Sequence, residues 1–328
     1  MAAIDLAKLA KIPYVDVPNI AGRFLSALTF FDDQTWRIWI PVEGELMEIK
    51  AWPAEGFYYS SQPESPTDLS FHFLDFIAQR ASFPEAQKAI SGLRDDIFNL
   101  SASLAKVAHL HKTRESLSKG ESRMIATEVE YLFSTCKSMF DLLQELICAI
   151  WNTVELLDKS LQKKPLKETF SKIILFKGRA STAEELTERF GLPSPLAVYY
   201  VRQIDFFLSL REFRDNIIHH GSQVPTIISG ENDFLVQEST RPFAALGVWR
   251  NDEKLENKLV PLMPALGVVV QRTLAACNDF STTVEQTIAF PPPIVPDMRL
   301  FMRGYFNELF QQVLNDANDR QPIKVSLG

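Results

Sequence analysis

This chain of 328 residues contains few cysteines and has no net positive charge. The three cysteines, Cys136, Cys148 and Cys277, are odd in number and lie far apart in apolar surroundings. We therefore expect reduced core thiols, with neither a disulfide framework nor a zinc site. The net charge of −7 gives no overall basic field of the kind that a general nucleic-acid binder presents. On this basis we expect no DNA partner.

Long uninterrupted hydrophobic runs are also missing. No window approaches the roughly 18 apolar residues that a membrane-spanning helix needs. The first residues, MAAIDLAK, contain no apolar segment like that of a secretory signal peptide. Hydrophobic residues nevertheless make up 46% of the chain, which is ample for a buried core. We expect a globular cytoplasmic protein without a membrane partner.

Short runs of aromatic and β-branched residues distinguish the N-terminal part of the chain from the rest. They fill residues 24–52 and are separated by Asp-Asp and Glu-Gly pairs, a pattern typical of hairpins. We predict a small antiparallel sheet of two or three strands, within a β-rich element that covers residues 1–62. Residues 60–66, which include two prolines, are predicted to form a linker or long loop.

From residue 67 onward the apolar residues recur with helical spacing, and we predict one helical domain over residues 67–328. A long helix from residue 121 to about residue 161 has a wide apolar face and should be the most buried element. Two later helices are predicted near residues 255–288 and 297–317. The predicted fold class is therefore mainly α, with a small N-terminal β-hairpin element.

Two helices are predicted between these long ones. Ser181 or Thr182 is followed three residues later by a glutamate, which is the capping box that opens a helix. Pro195 is expected to begin the next helix, which ends at a double histidine before Gly221. A short hairpin is predicted directly afterwards, over residues 224–237.

The end of that helix holds the segment whose residues point to chemistry. Its sequence, REFRDNIIHHG, begins at Arg211. His219 comes four residues after Asp215, so the two lie on one helix face, and Arg214 directly precedes Asp215. His220 offers an alternative register. An imidazole titrates near neutral pH and a guanidinium keeps its charge, so the segment combines a proton-transfer group with a phosphate-binding group.

The spacing of Arg214, Asp215 and His219 resembles the R-x4-6-H signature of the HEPN superfamily. The resemblance is close over the motif helix and covers residues 121–317 by architecture only. It implies an antiparallel helical bundle of HEPN type, often a homodimer whose motif helices form one composite cleft. It also implies a metal-independent endoribonuclease that acts on RNA and needs no cofactor.

The same resemblance implies a role for each motif residue. His219, or His220 in the other register, would serve as general base or acid, and Arg214 would hold the phosphate. Asp215 would position one of them. Similar proteins act in phage defence or in toxin–antitoxin systems, so an antitoxin or other regulatory protein is an expected partner.

Other interpretations of the sequence stay open. Arg211 and Asp215 would also form an exposed ion pair, and histidines near a helix C-terminus are favoured by the helix dipole. The chain would then be a non-catalytic HEPN-like interaction or ligand-binding module. The N-terminal aromatic hairpins offer a separate recognition surface. A basic concentration between residues 163 and 179 is predicted to be a solvated loop, or the place where RNA phosphates lie.

Overall fold

A computed structural model describes residues 6–20, 22–116, 120–220, 226–240 and 242–320, except the side chains of residues 6, 216–220 and 245. Within these residues the chain forms ten α-helices and twelve short strands. The helices are α1 (Leu6–Leu9), α2 (His72–Gln79), α3 (Gln87–Lys112), α4 (Glu121–Ile150), α5 (Phe170–Ile174), α6 (Ala183–Phe190), α7 (Ser194–Arg202), α8 (Ile204–His220), α9 (Leu262–Thr287) and α10 (Asn307–Asp319). The strands are β1 (Thr29–Phe31), β2 (Trp36–Val42), β3 (Glu45–Ile49), β4 (Gly56–Ser60), β5 (Glu155–Leu156), β6 (Leu175–Phe176), β7 (Arg179–Ala180), β8 (Ile228–Ser229), β9 (Phe234–Gln237), β10 (Leu259–Pro261), β11 (Ile288–Ala289) and β12 (Arg299–Arg303).

The chain is largely helical, as predicted, but it is mixed rather than purely helical because its strands form four small sheets among the described residues. The helical part follows from apolar residues spaced three and four apart. On α4 these residues are all buried: Ile125, Val129, Leu132, Phe133, Cys136, Phe140, Leu143, Ile147 and Ile150. The apolar face predicted for this helix is thereby confirmed.

The contacts divide the chain into two compact units, each assembled from separated stretches. Unit 1 comprises Met1–Arg94, Asp141–Arg202 and Cys277–Asn307, and unit 2 comprises Asp95–Phe140, Gln203–Ala276 and Glu308–Gly328. The boundary expected between residues 62 and 67 does not coincide with this division, since the residues on both sides of it belong to unit 1.

The largest sheet lies in unit 1 and has the strand order β12-β4-β1-β2-β3. The predicted N-terminal strands are present, and β1, β2 and β3 pair antiparallel. The sheet is larger than the two or three strands expected, and β1 also pairs parallel with β4. Strand β4 pairs antiparallel with β12, with Tyr58 opposite Phe301. The N-terminal strands are therefore completed by a strand from near the other end of the chain.

The prediction of a helix over residues 297–317 was wrong for its first third. Residues 299–303 form β12, and α10 begins only at Asn307. Leu300, Phe301 and Met302 are consecutive buried residues, which suits a strand that is covered on both faces. Pairing with a segment so distant in sequence leaves no trace in local periodicity.

Two other helices are shorter than predicted. Helix α4 stops at Ile150 instead of continuing to about residue 161, because the chain turns there and β5 pairs antiparallel with β11. Helix α9 begins at Leu262 rather than at residue 255, because β10 pairs with β9. In both places strand pairing with a distant segment overrides an apolar spacing that fits a helix.

The predicted hairpin after the motif helix is confirmed over its described part. Strands β8 and β9 pair antiparallel, with Ser229 opposite Phe234. Strand β10 adds a third strand to this sheet in unit 2. The first residues of the predicted hairpin, 224 and 225, lie outside the described residues.

Candidate functional site

Helix α8 is held in unit 2 by an aromatic face. Five of its side chains are almost fully buried: Ile204, Phe206, Phe207, Leu210 and Phe213. The Phe213 ring lies 4.6 Å from that of Phe133 on α4, and the Phe207 ring lies 5.7 Å from that of Phe140. Edge-to-face and tilted ring pairs at these distances are favourable. The packing fixes which side of α8 faces outward.

The outward side carries the predicted charged residues. Asp215 accepts a hydrogen bond from Arg211 Nε at 3.2 Å and another from Arg214 Nη1, also at 3.2 Å. All three side chains are partly exposed. The predicted pairing of Arg211 with Asp215 across one helical turn is confirmed, and the structure adds Arg214 to it.

This cluster carries two positive charges and one negative charge. Exposed ion pairs of this kind stabilise a fold by only about 0–1 kcal/mol each, so a large contribution to stability does not explain it. The carboxylate nevertheless restricts both guanidinium groups to one side of the helix. The cluster thus presents a local net charge of +1 on a chain whose net charge is −7.

The backbone of α8 continues through His219 and His220. Their side chains lie outside the described residues, so the roles predicted for them stay predictions. The structure therefore brings Arg214 and Asp215 together and places both predicted histidines in the same helix. Because a helix repeats every 3.6 residues, a residue four positions after Asp215 belongs to the next turn on the same face.

A second group of titratable residues in unit 2 did not stand out in the sequence. Asp233 accepts hydrogen bonds from the backbone N–H of Phe234 at 2.7 Å and from that of Met263, in the first turn of α9, at 2.8 Å. Burial raises the pKa of Asp233 to about 6, against the opposing effect of these hydrogen bonds and of His111. The His111 ring nitrogen Nε2 lies 3.0 Å from the Gly230 carbonyl oxygen. The local signal was an aspartate just before a strand, which is too common to identify a helix cap.

The described cysteines are poor nucleophiles. Burial raises the pKa of Cys136 to about 12 and also raises the pKa of Cys148, and the thiolate is the reactive form. All three cysteines are reduced thiols. Within the described ranges there is no group of three or more His, Cys, Asp or Glu residues placed to hold a metal ion.

Comparison with known proteins adds no relative to this picture. We find no match to the chain among protein-family models, among curated proteins or among solved structures. Among the helices that the structure describes, none combines the length and the apolar character needed to cross a membrane.

Proposed function

We propose that this chain is a metal-independent endoribonuclease of HEPN type, with Arg214, Asp215 and His219 as its reactive set. The observation that carries the proposal is the cluster on α8, where Arg214 and Arg211 are both held against Asp215 on the outward face. His219 lies four residues after Asp215 in the same helix. His220 is the alternative imidazole.

The proposed reaction cleaves RNA through its own ribose. The imidazole of His219 or His220 takes the proton from a 2′-hydroxyl, and the 2′ oxygen forms a bond to the adjacent phosphorus. The bond from phosphorus to the 5′ oxygen of the next nucleotide breaks, and that oxygen receives a proton from the imidazolium or from water. The products are a 2′,3′-cyclic phosphate and a free 5′-hydroxyl. No oxidant, metal or cofactor enters this balance.

Arg214 supplies the charge that this reaction needs. Negative charge accumulates on the phosphate oxygens as the fifth oxygen approaches, and a guanidinium presents fixed N–H donors to such oxygens. Asp215 restricts the Arg214 guanidinium through the 3.2 Å hydrogen bond, which lowers the cost of orienting it at the moment of reaction. Asp215 is therefore a positioning residue in this scheme.

The family resemblance adds that two copies would pair through their motif helices, with a defence or toxin role and a protein that restrains the activity. The same cluster also suits a second function, a non-catalytic interaction module. The observation in its favour is that both arginines already donate hydrogen bonds to Asp215 within the chain, as they would in a purely structural ion pair.

Cleavage assays distinguish these two functions. Purified protein is incubated with structured and single-stranded RNAs in the presence of EDTA, and the products are resolved by size. We expect cleavage that persists in EDTA and leaves a 2′,3′-cyclic phosphate end. No cleavage of any RNA in the panel would favour the interaction module, and a strict requirement for Mg²⁺ would point to a different active site altogether.

Arg211 provides a matched control for Arg214, because both arginines contact the same carboxylate at the same distance. Arg214→Ala should lower the cleavage rate by about 10²–10³, whereas Arg211→Ala should lower it by less than about tenfold. Asp215→Asn should also be mild, since an amide oxygen retains a hydrogen-bond acceptor. Equal losses for the two arginine variants would contradict the assigned roles.

A further inference from the structure

The hairpin of β2 and β3 in unit 1 has one apolar face that the described residues leave partly open. Its register places Ile38 opposite Ile49 and Ile40 opposite Met47 on this face. Met47 is 47% exposed and the three isoleucines are half-buried, whereas Trp39 on the other face is buried. The outer face of an antiparallel sheet is commonly polar, and apolar side chains grouped on it indicate an interaction surface.

Strand β3 is also the last strand of its sheet within the described residues. Its outer edge therefore carries backbone N–H and C=O groups that no described strand pairs with. Proteins commonly protect such an edge with proline or lysine, and Glu45–Ile49 contains neither. Helix α1 contacts the start of the strand, where Lys8 donates to the Gly44 carbonyl, but Met47 and Glu48 beyond it are exposed. An open edge beside an apolar face suits an added β-strand.

One segment of this chain has the sequence pattern that such an edge would pair with. Residues 321–328 have the sequence QPIKVSLG, and they lie outside the described part of the chain. Ile323, Val325 and Leu327 alternate with Lys324 and Ser326, which is the period-two pattern of a strand with one apolar face. The alternation covers as many residues as β3 contains.

One antiparallel register matches this segment to β3. With Lys324 opposite Glu48, Val325 lies opposite Met47 and Ile323 lies opposite the last residue of β3. The apolar pairs extend the open face, and the opposite charges meet on the other face. A shift by one residue would turn Lys324 onto the apolar face. Both oxygens of Glu48 already accept from an arginine on β2, so the apolar pairs contribute more than the charge pair does.

We propose that residues 321–328 of a second copy of this chain add a strand to the open edge of β3. Only Gln321 and Pro322 separate the alternating residues from Arg320, whose buried guanidinium is paired with two carboxylates of unit 2. Two residues span at most about 7 Å, so the segment has little freedom to search the rest of its own chain. The edge of a second copy can approach it without that restriction. The proposal is independent of RNA cleavage by α8.

Hydrogen–deuterium exchange of the full-length protein tests this pairing at the backbone amides of residues 45–49. Exchange in the parent should slow as the protein concentration rises, because pairing between copies is bimolecular. Val325→Asp places a carboxylate on the apolar face and should speed exchange of these amides by at least about tenfold. Ser326→Asp is the matched control, since it adds the same charge at a position that faces the other way, and it should exchange like the parent. The amides of β4 should not change in either variant.

A rescue experiment and a folding check complete the test. The synthetic peptide QPIKVSLG, added in excess to the Val325→Asp variant, should restore slow exchange in β3, and the same peptide carrying Val325→Asp should not. Thermal unfolding confirms that both variants are folded. Fast exchange of β3 at every concentration of the parent, slow exchange that persists unchanged on dilution, or equal effects of the two variants would overturn the proposal.

Discussion

Helices α7 and α8 follow each other with only Gln203 between them, yet they present opposite chemistry to solvent. The outward face of α7 carries small and apolar side chains such as Ser194 and Val198. The outward face of α8 carries Arg214, Asp215 and a second arginine. The first is a half-exposed face without charge, and the second is a charged cluster in which two guanidinium groups share one carboxylate. Consecutive stretches of one sequence thus present different chemistry.

The largest expected effect separates α8 from α7. His219→Ala should lower RNA cleavage by about 10²–10⁴ because it removes the proton-transfer group, whereas Val198→Ala on α7 should leave the cleavage rate unchanged. Cleavage rates are measured on preparations that thermal unfolding shows to be folded. Equal losses in the two variants would show that the effect is not specific to α8.

The buried face of α8 should matter far more to stability than the exposed face of α7. Phe207 is fully buried against Phe140, so Phe207→Ala should cost about 3–5 kcal/mol. Val198→Ala should change the free energy of unfolding by less than about 0.5 kcal/mol, since the side chain is half-exposed. Urea unfolding measures both, and similar values would mean that the faces are wrongly assigned.

Two carboxylates, one in each unit, should contribute to the pH dependence of stability with opposite sign. The pKa of Asp233 in unit 2 is raised from 3.8 to about 6 by burial. The native state therefore binds this proton more tightly than the unfolded state does. The contribution of Asp233 to the free energy of unfolding, up to about 3 kcal/mol, is fully present below about pH 4. It is lost as the pH rises through 6. Glu185 in unit 1 has its pKa lowered to about 2 by Arg179 and by the Thr182 N–H, so its contribution is lost only in acid.

Urea unfolding of the parent and of Asp233→Asn at pH 4 and pH 7 checks the first of these signs. The parent should lose stability relative to the variant between the two pH values. Asparagine fails to accept one hydrogen bond of Asp233. The free energy lost with that bond is the same at both pH values, so it cancels from the comparison. An unchanged difference would show that Asp233 titrates near its ordinary pKa.

Glycine at the turn between α6 and α7 should be less replaceable than glycine in the β6–β7 hairpin. Both Gly191 and Gly178 have positive φ, of +67° and +82°, but a Cβ at Gly178 would meet nothing within 4 Å. Gly178→Ala should cost about 1–2 kcal/mol from backbone strain. Gly191→Ala should cost at least about 1 kcal/mol more, because the backbone of Gln162 must move. Urea unfolding of the two variants measures this difference.

The smallest effect concerns two adjacent tyrosines on α7. Tyr200→Phe removes the hydrogen bond to Gln144 and should cost about 0.5–1.5 kcal/mol. The buried Tyr199 hydroxyl has no hydrogen-bond partner among the described residues, so Tyr199→Phe should be neutral or slightly stabilising in urea unfolding. A larger loss for Tyr199→Phe than for Tyr200→Phe would show that the Tyr199 hydroxyl has a partner.

Features set by neighbours in sequence were predictable, and the α6 capping box and the pairing of Arg211 with Asp215 are examples. The break after Arg202 was not predictable, because neither glycine nor proline marks it and the apolar spacing continues from Pro195. The single helix predicted from Pro195 to the double histidine is therefore two helices, α7 and α8. The strand β12 was not predicted because β4, with which it pairs, lies far away in the sequence.

The pairing of β4 with β12 also sets an order of events during synthesis. The segment of chain that pairs with Ser60 begins at Arg299, about 240 residues later. At roughly 5–20 residues per second, the ribosome needs about 12–48 seconds to supply it. Until then β4 is an unpaired sheet edge rich in aromatic residues, which is a known route to aggregation. A nascent chain of this protein should therefore depend on chaperones until residue 303 has emerged.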